Sequence, residues 1–507
     1  MKKVLLSLLA VTIISISSQA QQVIPCATDE ALDYLHNQFP QLKAEYDAKL
    51  LLQNSAIMTS NYGNKAISYQ IPVVFHILHE YGSENVSDNQ VYAVMNQLNE
   101  HYSATNADLS QVVPAFDTLI GDSEIEFKLA AIDPLGNCTN GIEHIFSHET
   151  NVGDVYSKIS QWNRSRYLNI WVVHTPNSGG ETAGTLLGYA TFPSGTDGNG
   201  YWTDGIVLRD WTVTGTDRTL THEVGHYLGL PHTFAGTSAA DGMCGDDGIL
   251  DTPSTDGSFS TCDVTLANCN SPIIENVQNF MDYSSCTYMF TPGQVSVMHN
   301  TVNGISGERD NLWTDSTLTL TGIKDLGVPQ IPTNDINNLT VPLCAPIADF
   351  NSAQKTTCVG DLISFNDASW NAVIDSRLWT FQDGSPATAT GANPTVSFTS
   401  SGYKTVTLQS TNAAGTGTET RTEYIYVYPN WADFNGPASI NLENHYANWF
   451  KVNNIENNYA KFKISNTGGI DNSKAFKLNN YKDVTNADLF TNDFFYNNRL
   501  GLSVDEL

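Results

Sequence analysis

The sequence has few basic residues for its length. Its 507 residues include 24 Lys and Arg against 53 Asp and Glu, which gives a formal net charge of −29 at pH 7. Proteins that bind nucleic acids need a basic surface to neutralise phosphates, so this deficit excludes that class of function. A strong negative charge suits solubility and the binding of cations, but it does not identify a substrate.

Long hydrophobic runs are also missing, with one exception at the start of the chain. Met1–Lys3 is basic, Val4–Ile16 is apolar, and Ser18–Ala20 supplies the small residues typical of a cleavage site. Because the apolar run is too short for a membrane span, we predict a signal peptide over residues 1–20. The rest of the chain contains no stretch of spanning length, so we expect a secreted protein without a membrane span.

Cysteine is sparse, and no two cysteines stand in a C-x-x-C pair. This absence argues against a structural zinc site built from cysteines. Eight cysteines in an exported chain predict disulfide bonds instead. Four of them cluster in one loop-rich region, where three pairings are possible. These four are Cys244, Cys262, Cys269 and Cys286.

The most specific pattern reads H-E-V-G-H-Y-L-G-L-P-H. His222 and His226 are four residues apart, so a helix places both imidazoles on one face at zinc-ligand spacing. Glu223 lies within reach of a water molecule at the metal. Gly229 can adopt the left-handed conformation that ends a helix, and the turn that follows can return His232 as a third ligand. Three histidines leave a fourth position open for water, which is typical of catalytic zinc.

This extended motif resembles that of the metzincin metalloendopeptidases, which also carry a downstream Met-turn. Asn279–Tyr283 reads N-F-M-D-Y, and with the flanking cysteines it looks most like the pappalysin family (peptidase family M43). That resemblance implies that Met281 packs beneath the three imidazoles. It also implies that the phenol of Tyr283 stabilises the oxyanion of the reaction, the alternative being that Tyr283 only packs.

Two further metal-related roles are implied by the resemblance. In several metzincins a pro-region cysteine supplies a thiolate to the zinc, and Cys26 is the candidate here; the alternative is a disulfide with Cys138. The acidic loop after the zinc motif matches the calcium-loop pattern of the family at Asp247, Asp251 and Thr252. Carboxylates on a turning backbone suit a structural Ca²⁺, and the alternative is a solvated acidic loop.

The resemblance also bears on the disulfides and on the cleft. Among the clustered cysteines it favours the pairs Cys244–Cys269 and Cys262–Cys286, and a further bond, Cys344–Cys358, is possible later in the chain. It assigns to Leu186–Phe192 the edge strand that pairs with the substrate backbone.

Periodicity and composition predict an α+β protein of several domains. The catalytic domain is expected to be metzincin-like, with a mixed twisted sheet, a zinc-binding helix and a Met-turn. A later region of short alternating strands resembles the immunoglobulin-like PKD domain, an all-β sandwich with Trp379 and Tyr403 in its core. The predicted segments are a signal peptide (1–20), a pro-region (21–62), the catalytic domain (63–313), a linker (314–343), the PKD-like sandwich (344–428) and the first part of a β-rich accessory segment (429–507).

These patterns predict a secreted zinc metalloendopeptidase that is made as a zymogen and acts on proteins or peptides. Glu223 would serve as general base towards a water molecule at the zinc. The alternative is a non-catalytic surface or adhesion protein, in which zinc only stabilises a module and the PKD-like region binds. Because a structural zinc has no use for a base beside its open position, Glu223 favours the enzyme.

Overall fold

A computed structural model describes residues 23–44, 69–179, 184–324 and 343–429, and two strands at 461–465 and 475–479. The predicted signal peptide and most of the predicted accessory segment lie outside the described residues. The chain packs as two compact units. The first comprises the described residues up to 351 with 367–377 and 409–419, and the second comprises 352–366, 378–408 and the described residues from 420 onwards.

A six-stranded sheet lies at the centre of the first unit. Its order is β3-β2-β5-β8-β7, and β4 also pairs with β2. All pairs are parallel except β7 with β8. A second, two-stranded parallel sheet joins β1 to β6. The strands are β1 (Val23–Ile24), β2 (Tyr69–His79), β3 (Ile125–Leu129), β4 (Ile142–Phe146), β5 (Leu168–Val173), β6 (Thr185–Leu186), β7 (Gly188–Ala190) and β8 (Ile206–Arg209).

The central strands read as nearly continuous apolar runs because both faces of the sheet are covered. All six residues of β5 are buried, and β2 is long enough to pair with β3 and then with β4 along the same strand. The predicted substrate-pairing strand Leu186–Phe192 is divided between β6 and β7. The fold therefore places β7 at the edge of the sheet, beside the zinc motif.

Five α-helices are assigned within the described residues. They are α1 (Thr28–Gln38), α2 (Asp88–Tyr102), α3 (Thr219–Tyr227), α4 (Pro292–Val302) and α5 (Asp315–Leu320). Local sequence explains the start of α4, where Thr291 and Gln294 form a capping box ahead of Pro292. α2, α3 and α4 share one apolar core with the sheet. Among the described helices, none combines the length and the apolar character that crossing a membrane requires.

The predicted linker at 314–343 begins too early. Thr314 caps α5 by accepting a hydrogen bond from the N–H of Thr317, and Ile323 is fully buried. The carbonyl of Thr321 accepts the N–H groups of Ala131 and Ile132. Residues 315–324 therefore pack with the first unit, and their Thr-rich composition concealed this because few apolar residues make the contact.

Three disulfide bonds are present among the described residues, and they correct part of the sequence prediction. The pairs are Cys138–Cys344, Cys244–Cys269 and Cys262–Cys286. The last two are those that the family resemblance implied. The Cys344–Cys358 bond is wrong, and so is the alternative in which Cys26 pairs with Cys138, because Cys26 and Cys358 are free. The two partners of the first bond are 206 residues apart, so their spacing gave no indication.

Residues 350–428 are β-rich, which confirms the α+β class with an all-β region after the catalytic one. The main sheet has the order β10-β18-β17-β13-β15, a second has β11-β16-β14, and β12 pairs with β9. Trp379 is fully buried, as predicted, whereas Tyr403 is only half-buried. The strands are β9 (Phe350–Asn351), β10 (Thr356–Cys358), β11 (Leu362–Ser364), β12 (Asn366–Asp367), β13 (Ser376–Phe381), β14 (Gly384–Ser385), β15 (Thr388–Ala389), β16 (Thr395–Phe398), β17 (Gly402–Asn412), β18 (Gly415–Tyr428), β19 (Lys461–Ser465) and β20 (Ala475–Asn479).

Candidate metal centre and catalytic groups

Helix α3 and the turn after it bring the three motif histidines together. The helix ends at Tyr227, and Gly229 adopts a φ of +89°, a left-handed conformation that an L side chain would strain. The N–H of Gly229 then donates to the carbonyl of His226 at 2.9 Å, which closes the last turn. The chain reverses here, and His232 returns to the face of α3 that carries His222 and His226.

The three Nε2 atoms converge on one point. The Nε2 of His226 lies 3.1 Å from that of His222 and 3.1 Å from that of His232, and the remaining distance is 3.2 Å. All three rings are buried. Burial lowers the pKa of His222 to about 3, so this ring stays neutral and keeps its lone pair.

Each histidine is oriented by a hydrogen bond from its other ring nitrogen. The Nδ1 of His222 donates to the carbonyl of Phe280 at 2.7 Å, and that of His226 donates to the carbonyl of Leu230 at 2.7 Å. The Nδ1 of His232 instead reaches the carboxylate of Asp29, with Oδ2 at 2.9 Å. Since Nδ1 carries the proton in each ring, Nε2 is free to coordinate a metal.

A fourth donor, the sulfur of Cys26, completes the cluster. Within the described residues, the ligand atoms of Cys26 and the three histidines all lie within 4.8 Å of one another. Tetrahedral zinc with bonds of about 2.0 Å separates its nitrogen ligands by about 3.3 Å, close to the distances found here. Three lone pairs facing one point without a shared proton donor need a cation between them. The arrangement therefore fits zinc, whose donors would be the three imidazoles and, once its proton is lost, the sulfur of Cys26.

Glu223 lies on the same helix but takes no place among these donors. Its Oε2 accepts hydrogen bonds from the hydroxyl of Thr28 at 3.0 Å and from the thiol of Cys26 at 3.5 Å. Its Oε1 is buried and has no hydrogen-bond partner among the described residues. Burial raises the pKa of Glu223 to about 8, against the lowering effect of these two hydrogen bonds. The carboxyl group of Glu223 thus lies beside the fourth metal position, and its Oε1 is available to accept a hydrogen bond.

The Met-turn residue Met281 packs against the helix that carries the zinc motif. Met281 is fully buried, and its sulfur approaches α3 so closely that a Cβ added at Gly225 would collide with it. The side chain of Asn279 exchanges two hydrogen bonds with the side chain of Gln294, at 2.8 and 2.9 Å, which ties the turn to α4. Met281 therefore supports the helix that carries two of the histidines.

Tyr283 lies beside the histidine cluster. Its ring meets the ring of His232 edge-on, with centroids 4.9 Å apart, and its hydroxyl donates to the carbonyl of Cys26 at 3.1 Å. The phenol is thus paired with Cys26, a residue of the predicted pro-region (the pro-segment below).

Residues 23–28 of the predicted pro-region lie along the segment that carries β6 and β7. β1 pairs with β6 in parallel, the N–H of Ala27 donates to the carbonyl of Gly188 at 3.2 Å, and the N–H of Ala190 donates to the hydroxyl of Thr28 at 2.9 Å. The sequence prediction missed Thr28 and Asp29. The only available indication was their position, two and three residues after Cys26.

The predicted calcium residues are only partly brought together. Thr252 donates to Oδ1 of Asp247, whose Oδ2 is buried and without a hydrogen-bond partner among the described residues. Asp251 points elsewhere, because its two oxygens accept hydrogen bonds from the hydroxyl of Thr291 and the N–H of Gly293 at the start of α4. Burial raises the pKa of Asp247 to about 7.

Comparison with known proteins finds two family domains and several metalloprotease relatives. Residues 151–303 match the M43 peptidase family, described as pregnancy-associated plasma protein-A, and residues 344–427 match the PKD domain. An extracellular metalloprotease of Arthroderma benhamiae is 29% identical over 239 residues, which are 45% of this chain and 74% of that protein. One from Arthroderma gypseum is 29% identical over 266 residues, 50% of this chain and 78% of that protein. A solved mutant of Tannerella forsythia promirolysin is 31% identical, with a TM-score of 0.46, and the match covers 58% of this chain and 99% of that one.

The fold and the site define a metalloprotease. The three-histidine cluster with a buried glutamate beside it is the arrangement that metal-dependent peptide hydrolysis uses. The chain belongs to the M43 (pappalysin) family of metallopeptidases and carries a PKD domain after its catalytic region. Because this family is metzincin-type, its metal is zinc. The alternative of a non-catalytic adhesion protein is not favoured.

Proposed function

We propose that this chain is the latent precursor of a secreted zinc endopeptidase that uses Glu223 as general base. The observation that carries this proposal is the convergence of Cys26 with the three histidines, together with the hydrogen bond from the hydroxyl of Thr28 to the carboxylate of Glu223. Residues 26–28 therefore engage every group that a reacting peptide and water would need. The names of the relatives, which are extracellular metalloproteases, support export.

In the processed enzyme, removal of the pro-segment frees the groups that it occupies. A bound zinc supplies Lewis acidity towards a water molecule and the carbonyl of the scissile peptide. Glu223 takes a proton from the attacking water and returns it to the leaving amine. The hydroxyl of Tyr283, released from the carbonyl of Cys26, donates to the oxyanion.

Removal of the pro-segment also exposes the backbone groups that would position a substrate. The carbonyl of Gly188 and the N–H of Ala190 bond to the pro-segment in the precursor. Once free, they offer a peptide substrate an acceptor and a donor on the edge strand β7, so that the substrate binds by strand addition. The pro-segment thus occupies the place of the substrate backbone.

Replacing Cys26 tests latency. We expect Cys26→Ala to raise the activity of the unprocessed precursor on a quenched fluorescent peptide by about tenfold or more. Loss of about 1.4 kcal/mol of docking free energy is enough to open the cleft tenfold more often. Cys358→Ala is the matched control, because Cys358 is the other free cysteine, and it should leave the precursor inactive. A Cys26→Ala precursor as silent as the wild type, with mass spectrometry showing an intact chain, would contradict the proposal.

We also propose that the loop of Asp247 and Thr252 binds a structural Ca²⁺. The unpartnered Oδ2 of Asp247 supports this, since a buried carboxylate oxygen without a donor is relieved by a cation. Asp251 is not part of this site, because its two oxygens accept hydrogen bonds at the start of α4.

Calcium should raise the melting temperature of the zinc-loaded protein by several degrees, because saturation to about 100 times Kd adds about 2.7 kcal/mol. Asp247→Asn should abolish the shift, and Asp263→Asn, a substitution at an exposed carboxylate of the same region, should retain it. The shift should shrink below about pH 7, where protons compete for Asp247, whose pKa is raised to about 7 without a cation. Equal shifts for all three proteins in differential scanning fluorimetry would rule out this site.

A further inference from the structure

We infer that Asp29 is a positioning residue of the metal centre, which makes the latent precursor hold zinc more firmly than the processed enzyme. This inference rests on the proposed latency, because it assumes that the pro-segment lies over the zinc. It assigns to the pro-segment a role that is separate from blocking the cleft.

The three metal-binding histidines are supported unequally. His222 and His226 each bond to a backbone carbonyl of the catalytic unit, Phe280 and Leu230 respectively. These partners remain after processing. His232 bonds to Asp29, which belongs to the pro-segment, so the orientation of the third ligand depends on a residue that processing removes.

The two aromatic side chains packed on His232, those of Phe234 and Tyr283, cannot replace this hydrogen bond. The ring of Phe234 lies against it in a stacked arrangement, with centroids 4.9 Å apart and planes inclined by 6°. Tyr283 approaches edge-on. These contacts restrict how the imidazole tilts, but they offer no acceptor in the plane of the ring, where the Nδ1–H points. The carboxylate of Asp29 is therefore what fixes the rotation of the ring and the tautomer.

A carboxylate does more for a metal ligand than a carbonyl does. Accepting the Nδ1–H makes Nε2 more basic and holds it towards the metal, and loss of such a partner commonly costs 10- to 100-fold in metal affinity. Because the side chain of Asp29 is 62% exposed, water screens its charge. We therefore expect its loss to lower the zinc affinity by about tenfold, the lower end of that range.

Two residues of one short stretch therefore act on the metal in different ways. Cys26 would supply a fourth ligand, whereas Asp29 strengthens one of the other three. The precursor is the form in which zinc is loaded and retained, and processing yields an enzyme whose third histidine has lost its carboxylate.

The rate of zinc release tests the role of Asp29 without any measurement of activity. Zinc-loaded, full-length precursors are mixed with an excess of a chromogenic chelator, and transfer is followed by absorbance. We expect Asp29→Asn to release zinc about tenfold faster than the wild type. Asp33→Asn makes the same chemical change at an exposed position of the same helix, and it should release zinc at the wild-type rate. Wild-type retention by Asp29→Asn would overturn the inference.

A second measurement separates positioning of His232 from docking of the pro-segment. In the cobalt-substituted precursors, a thiolate-to-cobalt absorption band reports whether Cys26 is bound. A full band in Asp29→Asn together with faster release supports the inference. A lost band means that Asp29 only docks the pro-segment, and this overturns it. A wild-type precursor without the band contradicts the proposed latency itself, which distinguishes that failure from the failure of the inference.

Discussion

Glu223→Gln is expected to lower kcat/KM of the processed enzyme by about 10³-fold, because a positioned general base commonly contributes 10²- to 10⁴-fold. Glutamine keeps the shape and one acceptor oxygen but cannot take a proton from water. The hydroxyl of Thr28 can still donate to that oxygen, so the precursor should fold and be processed by an added protease. Hydrolysis of a fluorogenic peptide by equal amounts of zinc-loaded protein measures the effect.

A matched control and a metal assay make this result specific. Glu126→Gln makes the same change on a half-exposed carboxylate of β3 and should leave kcat/KM within about twofold, as is usual for surface substitutions. The zinc content of Glu223→Gln should remain stoichiometric, because Glu223 is not among the converging ligand atoms. Wild-type turnover by a zinc-replete Glu223→Gln enzyme would exclude this residue as the base.

Arg309→Met is expected to destabilise the catalytic unit by about 3–5 kcal/mol, the usual cost of leaving one member of a buried ion pair without its partner. The guanidinium of Arg309 makes two hydrogen bonds of 2.7 Å to the two oxygens of Asp204, and both side chains are buried. It also lies 3.6 Å from the ring centroid of Tyr227, the last residue of α3. Burial acts to lower the pKa of Arg309, but the Asp204 carboxylate outweighs it and the pKa is raised.

Chemical denaturation of the zinc-loaded protein measures this loss, and a double variant identifies its cause. Arg309→Met with Asp204→Leu removes both charges, so it should regain most of the lost free energy of unfolding. Arg166→Met, at a half-buried arginine, should cost less than about 1 kcal/mol. A single variant Arg309→Met within 1 kcal/mol of the wild type would mean that the pair contributes little.

The zinc helix and the apolar strands of the sheet could be predicted because their causes are local, whereas the Met-turn was predicted from the family resemblance. The spacing of His222 and His226 sets a helical face, Gly229 ends the helix, and apolar runs such as β5 are buried on both sides. These features need only the geometry of neighbouring residues in the chain.

The remaining features depend on contacts between distant residues, which no local pattern encodes. Arg309 and Asp204 are separated by 105 residues, and Asp29 and His232 by 203. Each side chain alone reads as an ordinary charged surface residue. Burial and pairing appear only once the chain has folded. For that reason neither the contact of Arg309 with the end of α3 nor the pairing of Asp29 with His232 was predicted.

The contact between Gly225 and the sulfur of Met281 places a demand on the motif that its usual notation hides. Written as H-E-x-x-H, the pattern leaves position 225 unconstrained. Yet a Cβ at this position would collide with the Met281 sulfur, so the methionine would have to move and its packing against the helix would be lost. In this chain the second variable position of the motif therefore requires glycine for steric reasons, because Met281, 56 residues downstream, leaves no room for a side chain.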